Sequence, residues 1–163
     1  CESYIARLIA KGYKVAICEQ MEDPALAKGL VSREVVRVIT AGTVTEPAML
    51  EDKVNNYLMC VYLSGKKAGV AYADISTGEC FVSEPDMNLL RTLISRVNPT
   101  ELICNDAGRM TELIGNDIRT LSEQPASWFQ YRNAKESLCG HFHLTQLTSL
   151  GLADRNTAVC AAS

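Results

Sequence analysis

The sequence carries no excess of positive charge: sixteen Lys and Arg stand against nineteen Asp and Glu, for a net charge of −3. Dividing the chain near Asn56 leaves both parts slightly acidic. A protein whose affinity came from neutralising phosphates would hold a basic excess on at least one domain. Any contact with nucleic acid must therefore rest on a few local groups within something larger. Long apolar runs are also missing. The longest are too short to span a bilayer, and no signal-peptide pattern opens the chain, so no membrane partner is expected. Seven cysteines occur, at positions 1, 18, 60, 80, 104, 139 and 160, yet none forms a Cys-x-x-Cys pair. An odd count at irregular spacing argues against a disulfide framework or a zinc site. Small buried thiols in a reducing compartment are the expectation. No internal repeat and no low-complexity tract is present.

At 163 residues, with 47% hydrophobic and 21% charged residues, the chain fits one full domain plus part of a neighbour. It opens on Cys1 inside an apolar pattern, with Tyr4, Ile5, Leu8 and Ile9 along one helical stripe. It stops just after Ala158, Val159 and Ala162 begin another. Natural termini usually lie outside packed elements, so the expectation is a chain cut at both ends. Residues 2–11 read as a helix ended by Gly12, and residues 14–18 as a strand. Glu22-Asp-Pro24 breaks the regular structure, and 25–30 is a short connection. Residues 33–40, rich in β-branched side chains, make a second strand. Residues 41–56, interrupted by Gly42 and Pro47 and closed by Asn55-Asn56, read as an interdomain linker.

From Tyr57 the pattern is regular. Strands are expected over 57–63, 68–75 and 79–83, joined by turn chemistry at Ser64-Gly-Lys-Lys67 and Ser76-Thr-Gly78. Asp86 is placed to cap a helix through its carboxylate. Leu89, Leu90, Leu93, Ile94 and Val97 give that helix an apolar face, and Asn98-Pro99 ends it. A strand over 101–104, a helix over 108–114 and a strand over 117–121 follow, then helices over 127–138 and from about 154. The order β-β-β-α-β-α-β-α is an α/β pattern. It builds a mixed five-stranded sheet with flanking helices on both faces, the ribonuclease-H-like arrangement.

Gly12-Tyr-Lys-Val-Ala-Ile-Cys-Glu-Gln-Met-Glu-Asp-Pro24, continuing through Lys28-Gly29 to Arg33-Glu-Val-Val-Arg-Val-Ile-Thr-Ala-Gly-Thr43, resembles the end of the mismatch-binding domain of the MutS family of bacterial DNA mismatch-repair proteins. Asp74-Ile-Ser-Thr-Gly-Glu79 resembles the turn between the second and third strands of that family's connector domain. Asn98-Pro-Thr-Glu-Leu102 resembles its helix-to-strand junction. The resemblance covers nearly the whole chain and is densest over 12–43; a small departure is Ala41, where many members carry Pro. It implies that residues 1–40 are the C-terminal part of the partial α/β mismatch-binding domain, 41–56 the linker, and 57–163 the connector domain, truncated at its C-terminus. It also implies a parent that binds mismatched duplex DNA, acts as a homodimer, uses ATP and Mg, meets the partner MutL, and works in the cytoplasm at the nucleoid. Two of the family's working parts are missing here. No Phe-x-Glu mismatch wedge occurs, since the phenylalanines are Phe81, Phe129 and Phe142, and no G-x-x-x-x-G-K-[ST] phosphate loop occurs. The fragment is therefore expected to be no enzyme and to need no cofactor. It would join the DNA-binding domain to the core and ATPase domains.

Lys28 and Arg33 suit phosphate contacts in the parent. Against this stands a solvated charged strand edge, with Arg37 near Glu34. On a helix over 127–138, Ala134 and Leu138 would face the sheet and leave Arg132, Lys135 and Glu136 to solvent, a reasonable place for a modest, partly polar partner contact. The alternative function is a ribonuclease-H-like metal-dependent nuclease, which needs carboxylates converging on cations about 4 Å apart. Asp74, Glu79, Asp86, Glu101 and Asp106 are the candidates, but Asp74 is better read as bonding its own turn. His141-x-His143 would put two imidazoles on one strand face, too few for a closed zinc site. Trp128, Phe129 and Tyr131 read as core packing rather than a base-stacking platform. A third possibility is a unit that swaps strands or dimerises through its first part. With no wedge and no basic excess, the isolated chain is expected to bind duplex DNA weakly and without preference for a mismatch. Fluorescence anisotropy on matched and G·T duplexes at physiological salt measures this; submicromolar, mismatch-selective binding would contradict it.

Overall fold

Met59, Val61 and Leu63 alternate along the chain with Leu58, Cys60 and Tyr62, and this period of two sends the first set to one face of a strand and the second to the other. The structure, a computed structural model, describes residues 2–23, 29–50, 54–115, 118 and 120–163. The strand in question is β3 (Tyr57–Ser64), the centre of a five-stranded sheet ordered β5-β4-β3-β6-β7. β4 (Lys67–Asp74) and β5 (Glu79–Ser83) complete an antiparallel meander, whereas β6 (Glu101–Cys104) and β7 (Leu121–Glu123) join in parallel. The first two turns use Gly65 and Gly78 at φ of +59° and +77°, a backbone region that costs glycine least. The sheet is the mixed, ribonuclease-H-like one.

On one face, Met59, Val61, Val70, Leu102 and Cys104 pack against Leu90 and Ile94 of α2 (Met87–Val97) and Met110 and Ile114 of α3 (Ala107–Ile114). On the other lies α5 (Asn156–Ala162), with α4 (Tyr131–His141) outside it. Backbone registers Val61↔Val70 and Tyr62↔Gly69 put Gly69 on the α5 side. There α5 comes so close that a Cβ on Gly69 would overlap the backbone carbonyl of Thr157. The Glu84 carboxylate fixes this contact. Its Oε1 accepts from the Thr157 amide at 2.8 Å, the Thr157 hydroxyl at 2.5 Å and the Ala158 amide at 3.2 Å. These are free amides of a helix's first turn, where a negative group is favoured.

Ahead of the sheet stands a smaller unit, α1 (Glu2–Ile9) and an antiparallel pair of β1 (Val15–Gln20) and β2 (Arg33–Ile39). Ile5, Ile39 and Val44 form its core, with Gly12 at φ +80° after the helix. The described residues of 41–56 include short 3-10 turns at Ala41–Thr43 and Pro47–Met49. Tyr4, Tyr13, Val35, Val36 and Val38 remain exposed, so the small unit offers apolar surface to solvent. Among the described residues no helix is long and apolar enough to cross a membrane.

Several expectations need correction. The fifth sheet strand is Leu121–Glu123 rather than 117–121, and residues 116, 117 and 119 lie outside the described set. The helix expected over 127–138 is a 3-10 turn, Ala126–Phe129, then a break at Gln130 and α4. Ala134 and Leu138 face α5, Leu147 and Leu152 rather than the sheet, because α5 occupies that place. Leu89 is 58% exposed and no part of the apolar face of α2. Asp86 sits at the N-cap of α2 but caps through its backbone carbonyl, which accepts from Leu89 and Leu90, and not through its carboxylate. Cys104 and Cys160 are buried thiols, but Cys18 and Cys80 are exposed. His141 ends α4 and His143 follows at φ +53°, so no strand carries the pair.

Two glycine substitutions should move stability in opposite directions. Gly69→Ala must push α5 off the sheet and is expected to cost about 2–4 kcal/mol. Gly140→Ala, on the exposed side of α4 with nothing within 4 Å of the added methyl, should gain about 0.5–1 kcal/mol through helix propensity. Urea unfolding followed by circular dichroism reads both, and a neutral Gly69→Ala would contradict the close contact.

Candidate functional site

The motifs at 41–43, 74–79 and 98–102 come together in space. Asn98 ends α2 in the left-handed region at φ +49°. Pro99, which cannot continue a helix, turns the chain so that the Thr100 amide donates to the Tyr57 carbonyl at 2.9 Å. That bond sets Glu101 opposite Leu58, on the α5 face of the sheet, with only 1% of its surface exposed. Its Oε2 accepts from the Gly42 amide at 3.0 Å, and its Oε1 lies 4.0 Å from Nζ of Lys14. Glycine suits position 42 because the space is tight: a Cβ would stand 3.0 Å from Leu58 and 3.1 Å from Glu101 side-chain atoms, which would have to give by a few tenths of an ångström.

Asn56 closes the arrangement at the other end of the 41–56 stretch. Its side-chain amide donates to the Ala41 carbonyl at 2.9 Å, and its backbone amide donates to Asp74 Oδ2 at 2.9 Å. Asp74 Oδ1 accepts from the amide and hydroxyl of Ser76 at 2.9 and 2.6 Å. Burial pushes the Asp74 pKa up, but these donors from Ser76, Asn56 and Thr77 outweigh it and hold the carboxyl below its ordinary range. Glu84 behaves alike: burial raises its pKa, and the Thr157 and Ala158 donors, with Lys67 nearby, bring it down on balance. A buried carboxylate that accepts several N–H and O–H bonds meets its desolvation cost locally.

Two further candidate acids are engaged separately. Glu79 accepts from Asn55 at 3.2 Å, and Asp106 caps α3 by accepting from the Arg109 amide at 2.9 Å. Among the described residues no three His, Cys, Asp or Glu side chains form a group able to hold a metal ion. Burial, and after it the neighbouring Cys104, pushes the Cys60 thiol to about 12, which keeps it protonated and unreactive at neutral pH. Trp128 is 62% exposed, and only Phe129 of the aromatic cluster is buried, stacked 5.2 Å from Tyr62.

Two charged faces remain open. Arg33 begins β2 opposite Gln20, at the end of the hairpin farthest from Gly42, and makes no ion pair among the described residues. Arg37 is held instead by Glu46 at 2.6 Å and Thr45 at 3.0 Å, and not by Glu34. Lys28 lies outside the described residues. On α4, Arg132 pairs with Glu136 at 3.2 Å, both largely exposed, and with Lys135 they line a shallow depression of about 430 Å³ that Tyr131, Cys139 and Thr145 complete. The part of Glu101 in the joint was missed from sequence; its one signal was an acid inside the apolar strand Glu-Leu-Ile-Cys.

Comparison with known proteins gives a consistent result. Residues 56–163 match the family model for MutS domain II, and residues 1–48 the model for MutS domain I. Similar curated proteins include the DNA mismatch repair protein MutS of Dehalococcoides mccartyi, 41% identical over 161 residues, covering 99% of this chain and 19% of the relative. That of Ruminiclostridium cellulolyticum is 42% identical over 150 residues, covering 86% and 17%. That of Acetivibrio thermocellus is 53% identical over 109 residues, covering 64% and 12%. The chain spans about a fifth or less of the length of these relatives.

The lowered carboxyl pKa values fix a pH dependence. A carboxyl that titrates lower when folded than when unfolded contributes its full stabilisation above the ordinary range near pH 4, and loses it as pH falls through the folded value. The urea midpoint should therefore drop between about pH 5 and 2. Asp74→Asn should lower the midpoint at pH 7 and make that acid-side loss shallower; an equally steep loss would show that Asp74 does not contribute.

Proposed function

The chain belongs to the MutS family, and on that premise we propose that it is the connector segment of a DNA mismatch-repair protein, joining the mismatch-binding domain to the core and ATPase domains. The observation that carries this reading is the match of two successive MutS domains within one chain. The segment itself performs no chemistry in this reading: Asp74, Glu79, Glu101 and Asp106 are each tied to separate local partners, and among the described residues no three such side chains converge on a metal site. ATP and Mg are used by the full-length protein, which works as a homodimer on mismatched DNA in the cytoplasm. The open apolar surface of β2 is covered there by the rest of the DNA-binding domain, since a patch of that kind is unfavourable in water.

Within this role Arg33, with Lys28, contacts DNA phosphates and so positions the protein without reading sequence. The α4 face of Arg132, Lys135 and Glu136 contacts MutL. In support, these side chains surround a depression while Ala134 and Leu138 anchor the helix beneath them. The Arg132–Glu136 pair is exposed enough that exchanging it for a partner's charges costs little.

Two substitutions in the full-length protein separate the roles. Reversing both charges, Lys135→Glu with Glu136→Lys, should leave folding and mismatch binding intact and weaken MutL recruitment to mismatched DNA, measured by surface plasmon resonance. Arg33→Ala should weaken matched and mismatched duplexes alike and reduce the slope of log affinity on log salt by about 1. Unchanged recruitment in the first variant places the MutL contact elsewhere, and an unchanged salt slope in the second removes Arg33 from the interface.

A further inference from the structure

The acid of Asn98-Pro-Thr-Glu-Leu102 has no part in the role just described, yet it is among the most buried side chains of the molecule. It belongs to β6, and both of its partners, Gly42 and Lys14, belong to the small unit or the segment leaving it. We propose that Glu101 is a positioning residue for the DNA-binding unit: it fixes the angle at which the β1–β2 hairpin projects from the sheet, and through that angle the place of Arg33. The consequence for DNA rests on the connector reading; the joint itself rests on the geometry alone.

Three features make the joint directional. Gly42 packs against Leu58 and Glu101 closely enough that a methyl group would force them apart. Its amide then points at the carboxylate, so backbone position and hydrogen bond are set together. Asn56 ties the neighbouring carbonyl of Ala41 to the chain that enters β3, and Asp74 holds Asn56 from β4. Lys14, just ahead of β1, meets the second carboxylate oxygen. The hairpin is thus held where Ile39 pairs with Val15, while Arg33 lies at its opposite end. Six residue rises of about 3.3 Å put Arg33 roughly 20 Å along β2 from Ile39. On such an arm a tilt of about 10° moves the tip by about 3.5 Å, more than the length of a hydrogen bond.

The test uses the complete 163-residue chain with spin labels carried by unnatural amino acids at two exposed sites, 35 on the hairpin and 91 on α2. A second label pair, at 91 and 132, reports on the sheet and its helices alone. Electron–electron distance measurements should give one narrow 35–91 distribution for the unaltered chain. Glu101→Ala and Gly42→Ala should each broaden or displace it by several ångströms and leave the 91–132 distance unchanged. Glu101→Gln, which keeps the shape and one acceptor oxygen, should retain most of the narrowness. If Glu101→Ala also disturbs the 91–132 distance, the sheet has been damaged, and Gly42→Ala with Lys14→Met decides the matter from the other side of the joint. A narrow, unshifted 35–91 distribution in both would overturn the proposal.

In the full-length protein Glu101→Ala should lower DNA affinity about as much as Arg33→Ala, roughly 3- to 10-fold, while MutL recruitment per DNA-bound molecule is retained. Broadened distances with unchanged DNA affinity would reduce the joint to a structural contact and overturn the positioning role. Failure of the reading on which the DNA consequence rests shows differently, as unchanged affinity and salt slope in Arg33→Ala, and leaves the distance result standing.

Discussion

Backbone contact between α5 and β4 at Gly69 is the constraint on which the larger part of this molecule depends. Only glycine leaves room for the Thr157 carbonyl there, and only a carboxylate reaching over from Glu84 satisfies the first-turn amides of so short a helix. With α5 seated, its other side becomes the floor for α4 through Ala158 and Val159 against Ala134 and Leu138. The charged face of α4 therefore owes its place to a contact two layers beneath it. An exposed helix mounted in this way keeps its place without spending its outward side chains on folding.

Carboxylates wholly or half withdrawn from solvent recur as the fastening device. Asp74, Glu84 and Glu101 each turn towards amides or hydroxyls from a different part of the chain. A two-metal nuclease requires such groups to face one another across a cation. Here each of these three acids is satisfied by its own donors. The same economy separates the two units: the sheet has its own apolar core, while the described apolar core of the small unit is Ile5, Ile39 and Val44, with a polar joint beside it.

Much of this was legible in the sequence. The alternation of residues 57–63 and the glycines at 65 and 78 specify the meander, and the spacing of Leu90, Leu93, Ile94 and Val97 specifies α2. What escaped was set by distant partners. β7 is a three-residue edge strand whose position is fixed by pairing with Leu102 and Cys104, not by a pattern of its own. The break at Gln130 interrupts a stretch whose composition suits a helix throughout; Phe129 leaves the helical path to stack on Tyr62. Arg37 was set beside Glu34 by spacing, but residues three apart on a strand point to opposite faces, and Glu46, beyond the strand's end, takes that role. Glu101 gave least warning, because an acid in a strand is ordinarily a solvent-facing residue.

The proposed partner contact through α4 is read by hydrogen–deuterium exchange on the full-length protein bound to mismatched DNA, with and without MutL. Exchange over residues 131–141 should slow on MutL addition, with the amides of β3 and β4 already protected and unchanged. Protection that spares α4 and falls wholly outside residues 57–163 would contradict it.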